Sequence, residues 1–400
     1  MKETVVVFDN PEVHANLLPL SFTRPVGALR CGIDTIAEKW QRLLDAGIYF
    51  QPSEDYLLPI FGAPEEALAG EDTLYVAGHV IPDAALAGAV RSLERGVGLY
   101  AVTSEGETPE LIARRGPKET ARKMYGEDDE EGVLAVTRLY HLFLVNGGVI
   151  ESDFRALTAG LRSAPIPEDN TVIGDPSLVF IEEGAEVHGC FLNTTEGPIY
   201  FGRESTAMEG SMLRGPLALC EHAVINMGTK VYPATTIGPW CKVGGEINNV
   251  IFQAYSNKAH DGFLGNAVIG EWCNLGAGCV ASNLKNDYTP IKLWNYPSHR
   301  FLKTGLQFCG LIMGDHSKAG INTMFNTATV VGVGVNIHGA GFPRNFVASF
   351  TEGGHAGSDD VVMSKFFDTA RRVMARRHKE LTPEMENMLL AVREIAEQYK

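Results

Sequence analysis

The 400-residue sequence lacks any apolar run of about 18 residues, the length that a membrane-spanning helix needs. Its first residues, MKETVVVFDNPEVH, are interrupted by acids and proline, so we expect neither a signal peptide nor a membrane anchor. Positive charge is also scarce, with 34 Lys and Arg against 49 Asp and Glu and a formal net charge of −15. Because phosphate backbones require a basic surface, we expect no nucleic acid and no membrane among the partners.

Closely spaced cysteines are absent as well. The seven cysteines show no CxxC spacing, their number is odd, and their neighbours are apolar. These features suit buried free thiols in a reducing compartment, and we expect a cytoplasmic protein. A chain of this length exceeds the size of a single hydrophobic core, so the sequence predicts two or more domains.

Glycine, by contrast, is abundant, with 43 residues, and an internal repeat accompanies it. Every sixth residue is apolar at Phe201, Ala207, Leu213, Leu219, Ile225, Val231, Ile237 and Val243. The pattern returns at Phe263, Ile269, Leu275 and Ala281, and again at Met313, Ala319, Phe325, Val331 and Ile337. A period of six fits neither an amphipathic helix nor a half-buried strand. We therefore predict short parallel strands stacked in a parallel β-helix over 170–355.

Glycine directly follows many of these apolar positions, among them the seven glycines Gly238, Gly244, Gly270, Gly276, Gly314, Gly320 and Gly332. We expect these glycines to supply the unusual backbone dihedral angles of repeated tight corners.

The flanking regions have different patterns. Strand-like runs in the first part are VVVF (5–8), TLYVAG (73–78), VGLYAV (97–102) and LYHLFLV (139–145), separated by helix-like stretches at 33–46 and 83–95. These runs predict an α/β domain over 1–165. Helical spacing of apolar residues predicts a C-terminal helical segment over 357–400.

The segment SNKAHDGFLGNAVIGEWCNLGAGCVASNLKND (256–287) places His260 three residues before the aromatic Phe263. It resembles the acyltransferase core of the bifunctional N-acetylglucosamine-1-phosphate uridyltransferase/glucosamine-1-phosphate acetyltransferase family. The resemblance implies a left-handed coil, a homotrimer, and acyl-CoA, most simply acetyl-CoA, as donor. It also implies that His260 is the general base that deprotonates the attacking sugar amine, a task that suits imidazole. The alternative for such a histidine is a structural role.

The same resemblance implies further site residues. Asn283 would contact the acyl and sugar groups, and Gly276, Ala277 and Gly278 would line the slot for coenzyme A. Lys285 and Lys292 lie on the irregular segment 282–304, which is expected to protrude over a neighbouring subunit, where either could meet a phosphate. Arg214 would retain a phosphate contact. The alternatives are local backbone bonds for the asparagine, corner packing for the glycines, solvation for the lysines and a surface salt bridge for the arginine.

The chain departs from the family pattern at two positions of the acyltransferase site. Phe263 replaces a tyrosine that binds the acceptor, and Asn248 replaces a phosphate-binding lysine. These departures predict that the acceptor can differ from glucosamine 1-phosphate.

The stretch LLPLSFTRPVGALRCG (17–32) resembles the segment after the signature loop of sugar-nucleotide pyrophosphorylases. That resemblance implies nucleotide binding by Leu18, Pro19, Arg24 and Asp83, and Mg²⁺ if the domain is active. The glycine-rich loop itself is replaced by residues 9–13, and the lysine and the metal-binding aspartate by Val26 and His79. The chain as a whole, including GPLALCEH (215–222) and TGLQFCGLIMGDHSKAGINTMFNT (304–327), resembles a bacterial family of sugar nucleotidyltransferases related to the bifunctional enzyme.

Four functional hypotheses follow. The first is acyl-CoA-dependent transfer to an amino sugar or sugar phosphate, joined to a nucleotidyltransferase-like domain. The second is a sugar-1-phosphate nucleotidyltransferase that consumes NTP and carries a structural, trimerising β-helix. A γ-class carbonic anhydrase would need a closely spaced histidine pair, whereas the nearest histidines here are 17 residues apart. The fourth is a non-catalytic scaffold.

Overall fold

A computed structural model describes residues 3–104, 106–126 and 132–400. The chain divides into two compact units. The first comprises Met1–Leu29, Asp34–His141 and Asn387–Ala391, and the second comprises Arg30–Ile33, Leu142–Glu386 and Val392–Lys400.

The first unit contains a mixed six-stranded sheet in the order β2-β1-β3-β5-β4-β6. Its strands are β1 Glu3–Phe8, β2 Ala46–Gln51, β3 Leu74–Ala77, β4 Val97–Ala101, β5 Glu110–Arg115 and β6 Ala121–Met124. Its helices are α1 Pro11–Asn16, α2 Ile36–Leu44, α3 Leu58–Phe61, α4 Glu65–Ala69 and α5 Ala84–Arg91. Strand β1 is parallel to β2 and β3, and its Val5, Val6 and Val7 are fully buried, as expected for a strand covered on both faces. The α/β prediction for this part of the chain is confirmed.

One predicted strand is wrong. The run at 139–145 forms the first turns of a 20-residue helix, α6 Leu139–Thr158. Its buried residues follow the spacing of three or four positions that is typical of one face of a helix: Leu142, Phe143, Asn146, Val149, Ile150, Asp153 and Phe154. A short apolar run does not distinguish a strand from a buried helix, and the helical spacing becomes visible only beyond residue 145.

The second unit is a parallel β-helix with three faces. Face 1 consists of β7 Thr171–Ile173, β10 Phe191–Asn193, β13 Met212–Arg214, β16 Lys230–Tyr232, the first halves of β19 Glu246–Phe252 and β21 Phe263–Ile269, β23 Val280–Ala281 and β28 Met324–Phe325. Face 2 consists of β8 Val179–Ile181, β11 Ile199–Phe201, β14 Leu217–Leu219, β17 Thr235–Ile237, the second halves of β19 and β21, β26 Ile312–Met313, β29 Val330–Val331 and β31 Phe346–Val347. The left-handed sense of the coil stays a prediction.

Face 3 consists of β9 Glu186–Val187, β12 Thr206–Ala207, β15 Val224–Ile225, β18 Lys242–Val243, β20 Asn257–Lys258, β22 Asn274–Leu275, β27 Lys318–Ala319, β30 Asn336–Ile337 and β32 Thr351–Gly354, closed by the antiparallel β33 Gly357–Asp360. An antiparallel hairpin, β24 Lys292–Asn295 and β25 Arg300–Lys303, lies outside the coil. Two C-terminal helices follow, α7 Met363–Ala375 and α8 Pro383–Ala396, as predicted.

The hexapeptide pattern sets the core of the β-helix. The eight apolar residues predicted from Phe201 to Val243 all point inward and are at most 2% exposed. In the second block, however, Leu264 rather than Phe263 is buried in the core. Strand β21 bends at Asn266, whose φ is +47°. The inward residues Leu264 and Ile269 are therefore five positions apart instead of six. The assumption of a constant six-residue spacing placed Phe263 wrongly.

The explanation predicted for the repeat glycines is also wrong, because none of the seven has a positive φ. Six of them are required by close contact with the next coil, and only Gly320 has ordinary van der Waals room for a Cβ. A Cβ on Gly238 would lie 2.0 Å from the carbonyl oxygen of Gln253. At the corner between faces 2 and 3, left-handed positions instead carry large residues, among them His222, Trp240, Tyr255, Trp272 and His316. Their rings form an aromatic column, in which Tyr255 and Trp272 stack with centroids 4.1 Å apart.

Helices cover two of the three faces. On face 2, the α6 residue Phe154 packs edge-on against Phe180, and Asn146 donates to the hydroxyl of Thr236 at 3.1 Å. Helix α7 lies beside face 3, where Arg377 just beyond its end donates to Asn257 at 3.1 Å. Face 1 presents apolar side chains that are between two-fifths and just over half exposed: Ile173, Phe191, Met212 and Tyr232. Within the described ranges, no helix has the length and apolar character of a membrane span.

The first unit contains a buried neutral histidine that makes its stability depend on pH. His141 is 3% exposed, and its Nδ1 accepts a hydrogen bond from the backbone of Thr137. Burial, assisted by Arg138, lowers the pKa of His141 from 6.5 to about 4. Between these two values the unfolded chain binds a proton that the folded chain does not, so the free energy of unfolding falls as the pH falls from 6.5 to 4.

We expect His141→Asn to flatten this part of the pH dependence, because the asparagine Oδ1 can accept the same hydrogen bond without titrating. The pKa difference corresponds to a contribution of roughly 3 kcal/mol. Urea unfolding of both proteins between pH 4 and 7 measures it. Identical slopes for the two proteins would contradict the assignment.

Candidate functional site

His260 lies at the corner between faces 3 and 1, and its side chain is exposed. On the next coil, the turn Gly276–Gly278 occupies the same corner, and the backbone N–H of Gly278 donates to the carbonyl of Asp261 at 3.1 Å. The structure therefore brings together the predicted general base and the predicted coenzyme A segment. We name residues 259–262 together with 276–278 the His260 corner.

Packing and backbone conformation account for the glycines of this turn. A Cβ on Gly276 would lie 2.7 Å from the backbone nitrogen of Ile321, and Gly278 has a φ of +70°, which favours glycine. The backbone of Asn322 also donates to the carbonyl of Ala277 at 2.8 Å. The fold thus accounts for both glycines, and a role in binding coenzyme A stays a prediction.

Asn283 lies at the opposite edge of face 1, within an asparagine ladder. Its amide nitrogen donates to Oδ1 of Asn266 on the preceding coil at 2.8 Å. The Asn266 amide in turn donates to Asn249 at 3.2 Å when the Asn249 nitrogen faces the carbonyl oxygens of Phe143 and Ala234. These contacts fix the orientation of the Asn283 side chain. They replace the local backbone bonds that were the alternative expected for it.

The ring of Phe263 lies beside Asn283 on the outer surface of face 1. A Cβ on Gly265 would be 2.6 Å from Cζ of Phe263 and 2.8 Å from Nδ2 of Asn283, so all three residues meet there. Phe263 begins the strand that leaves the His260 corner. An apolar ring therefore lies between His260 and Asn283 along this strand.

A groove of about 1300 Å³ lies beneath the loop that follows Asn283. Its lining includes Lys285, Lys292 and Arg344, together with Trp294 and Phe346, whose rings stack with centroids 4.2 Å apart. Lys285 donates to the hydroxyl of Thr289 at 2.5 Å and lies 3.6 Å from the carboxylate of Asp287. The two predicted lysines therefore line one cationic groove. Arg344 was missed, because it is distant in sequence from every motif.

Arg214 does not join this arrangement. It forms an exposed ion pair with Glu196 at 2.8 Å, which is the alternative expected from the sequence. Strand pairing places it three rungs from Gly265, which corresponds to about 14 Å at the usual strand spacing.

Sequence reasoning also missed Lys258, which is only 1% exposed. It occupies the inward position of face 3 between Val243 and Leu275. The available signal was its spacing, six residues after Phe252 and six before Leu264, where an apolar residue is expected.

Of the four residues predicted to bind nucleotide in the first unit, three are buried and the fourth caps a helix. Leu18, Pro19 and Arg24 are buried. Asp83 caps helix α5, where its Oδ1 accepts from the backbone of Leu86 at 2.7 Å. Their role in nucleotide binding stays a prediction.

A pocket of about 440 Å³ opens at the carboxyl ends of β1 and β2, lined by Phe8, Asp9, Gln51, Ser53 and Arg114 among others. The Asp9 carboxylate is buried, and it accepts from the backbone of Val26 at 2.9 Å and contacts His14 at 3.0 Å. It therefore serves to hold the segment after β1 in place. Ligands of α/β sheets bind at this edge, where the parallel strands end.

The donor set at this edge does not fit Mg²⁺. His79, which replaces the expected aspartate, is buried with Nε2 3.3 Å from Glu110. Burial raises the pKa of Glu110, but hydrogen bonds with His79, Thr103 and Asn10 outweigh it and hold the pKa below its ordinary value. Across residues 3–104, 106–126 and 132–400, no group of three or more His, Cys, Asp and Glu side chains could hold a metal. Glu110 is thus committed to protein partners.

Comparison with known proteins places the first part of the chain. Residues 5–162 match the sugar nucleotidyl transferase family. This part of the chain therefore carries a sugar nucleotidyl transferase domain, and His79 and the residues of the 440 Å³ pocket belong to it.

Distant relatives are bifunctional proteins named GlmU. The one from Methanocaldococcus jannaschii is 33% identical over 87 residues, which cover 22% of this chain and 21% of the relative. The one from Synechococcus sp. is 27% identical over 183 residues, which cover 45% and 32%. The chain thus matches a fifth to a third of the length of these relatives. The solved polysialic acid O-acetyltransferase OatWY is 12% identical over 48% of this chain and 84% of its own, with a TM-score of 0.17, too low to establish a shared fold.

We expect the asparagine ladder to contribute to the stability of the coil. Asn266→Gly removes two side-chain hydrogen bonds and tolerates the positive φ, so it should lower the free energy of unfolding by about 1–2 kcal/mol. Asn322→Gly, at a corner with φ of +57° outside the ladder, is the matched control. Urea unfolding of both variants measures the difference, and equal effects would show that the ladder contributes nothing.

Proposed function

We propose that the β-helix transfers an acyl group from acyl-CoA, most simply acetyl-CoA, to an amino sugar or sugar phosphate. The observation that carries this proposal is the His260 corner, where an exposed imidazole and the Gly276–Gly278 turn lie on adjacent coils. His260 accepts the proton of the attacking nitrogen or oxygen as the bond to the thioester carbon forms. The carbon–sulfur bond then breaks, and the imidazolium returns the proton to the departing thiolate.

The lining of the groove beneath the loop supports the proposal that it binds a phosphate-bearing ligand. Lys285, Lys292 and Arg344 concentrate positive charge on a chain whose formal net charge is −15. Guanidinium and ammonium groups bind phosphate through charge-assisted hydrogen bonds. We infer that this groove holds the phosphates of coenzyme A or of the sugar.

We further propose that the chain acts as a homotrimer assembled through face 1. Face 1 presents Ile173, Phe191, Met212 and Tyr232, whereas the other two faces carry helices of the same chain. The His260 corner and the cationic groove lie at opposite edges of face 1. In a ring of copies, His260 of one copy would face the groove of the next.

A second function is a sugar-1-phosphate nucleotidyltransferase, in which the β-helix only assembles the trimer. The match of residues 5–162 and the pocket at the carboxyl ends of β1 and β2 favour it. In this alternative, Arg114 would contact a phosphate of the NTP or of the sugar.

The first test is an assay of thiol release from acetyl-CoA with a panel of amino sugars and sugar 1-phosphates. We expect His260→Ala to reduce the rate about 10²–10⁴-fold, as for loss of a general base. His338→Ala, which removes another exposed histidine that follows a face 3 strand, should retain full activity.

The same proteins are then incubated with NTP and sugar 1-phosphates, and pyrophosphate release is measured. Equal thiol release by wild type and His260→Ala would refute the base assignment. Pyrophosphate release that His260→Ala leaves unchanged, without any thiol release, would establish the second function instead.

The second test addresses the shared site by complementation. His260→Ala and the double variant Lys292→Gln/Arg344→Gln should each be impaired when expressed alone. When the two chains are co-expressed, random assembly gives intact His260 and an intact groove at about a quarter of the sites in a cyclic trimer, so about a quarter of wild-type thiol release should return. Activity no greater than the average of the separate variants would show that each site lies within a single chain.

A further inference from the structure

We propose that Lys258 is a positioning residue, which fixes the backbone of the His260 corner from inside the β-helix. Its connection with catalysis rests on the proposed role of His260. The claim about the backbone stands on the geometry of the coil.

The position of Lys258 is anomalous for a charged residue. The other inward residues of face 3 are apolar: Val187, Ala207, Ile225, Val243, Leu275, Ala319 and Ile337. Lys258 pairs in register with Val243 and precedes Leu275 in this column. Its four-carbon stem therefore fills the place of an aliphatic side chain, and its nitrogen lies at the end of that stem within the coil.

The ammonium group binds backbone carbonyls on both sides of the corner. Its Nζ donates to the carbonyl of His260 at 2.8 Å and to that of Gly244, on the preceding coil, at 3.2 Å. A Cβ on Gly262 would lie 3.4 Å from Nζ and 2.0 Å from the carbonyl oxygen of Cys279, so Gly262 leaves room for both. Lys258 thus ties His260 to the coil beneath it.

The stability of the fold does not explain this lysine. Its two acceptors are neutral carbonyl oxygens, and removing an ammonium from water costs several kcal/mol unless its charge is compensated. Burial lowers the pKa of Lys258 from 10.5 to about 8, against the smaller opposing effects of Cys279 and Asp261, so the protonated form still predominates at pH 7. An aliphatic residue would fill the position at lower cost, but it would leave the His260 carbonyl without a donor.

A second lysine offers a matched control. The ammonium of Lys318 donates to the carbonyls of Trp272 and His316, each at 2.9 Å, at the corner between faces 2 and 3. It likewise bonds two backbone carbonyls, and burial also lowers its pKa. Both of its acceptors lie outside the His260 corner.

The decisive experiment compares the full-length wild type with Lys258→Met, Lys258→Gln and Lys318→Met. Urea unfolding, amide hydrogen exchange of Glu246 and Gly278, and kcat and KM for thiol release from acetyl-CoA are measured for each protein. The N–H groups of Glu246 and Gly278 donate to the corner carbonyls of Gly262 and Asp261, at 3.2 and 3.1 Å, so their exchange reports whether the corner backbone is held in place. We expect Lys258→Met to unfold at the same or a higher urea concentration, because the buried charge is gone. Exchange of these two amides should rise about tenfold or more, and kcat should fall about 10–100-fold with little change in KM.

Lys258→Gln, which keeps an N–H donor, should recover part of the kcat and of the protection from exchange. Lys318→Met should leave both kcat and the exchange of Glu246 and Gly278 unchanged. A lowered unfolding midpoint for Lys258→Met with a uniform loss of protection would identify a merely structural lysine and overturn the proposal. Unchanged exchange of Glu246 and Gly278 in Lys258→Met would overturn it too.

The two proposals fail in distinguishable ways. If His260→Ala is inactive while Lys258→Met has wild-type kcat and exchange, only the role of Lys258 is lost. If wild type and His260→Ala release thiol equally, the proposed function is lost, and hydrogen exchange alone then decides whether Lys258 holds the corner. If Lys258→Met fails to fold, the amide exchange and kcat of Lys258→Gln decide instead whether Lys258 holds the corner.

Discussion

Parallel backbone hydrogen bonds between successive coils hold the second unit together, and they set a spacing of about 4.8 Å between equivalent residues. Because each coil repeats the cross-section of the one below, side chains at the same corner form columns. The aromatic column at the left-handed corners and the asparagine ladder at Asn249, Asn266 and Asn283 both follow from this geometry. The same spacing excludes a Cβ wherever the chain passes over a carbonyl of the next coil, as at Gly238.

The candidate functional residues lie where the regular repeat of the coil is interrupted. The bends at Asn249 and Asn266 shorten the inward spacing from six to five residues. Between these two bends, Lys258 replaces the aliphatic residue that the core would otherwise contain. The chain then leaves the coil altogether after Asn283 and forms the groove. A perfectly regular coil would offer only repeated surfaces, whereas these departures create positions that occur once.

The sequence predicted the β-helix well because burial and spacing are coupled in a coil: most inward positions are apolar, and they recur at a nearly constant spacing. Prediction failed where burial and spacing were no longer coupled. Phe263 was placed in the core because a bend changes the spacing there. Residues 139–145 were predicted as a strand because this short apolar run shows no periodicity. Lys258 was not predicted to be buried, because apolar periodicity does not identify a charged residue at an inward position of the repeat. The proximity of His260 to Gly276–Gly278 was implied by family resemblance, and the corner geometry of the coil accounts for it.

The excursion after Asn283 also has an evolutionary consequence. Its two ends meet, since the backbone N–H of Cys309 donates to the carbonyl of Asn283 at 2.9 Å, so the coil continues as though the intervening residues were not there. A stack with such a closed insertion imposes little restriction on the length of the inserted segment, because the entropy of loop closure grows only slowly with length. A change in the length of this segment therefore need not disturb the coil or the His260 corner, so the dimensions of the groove can be altered independently of the stack that carries it.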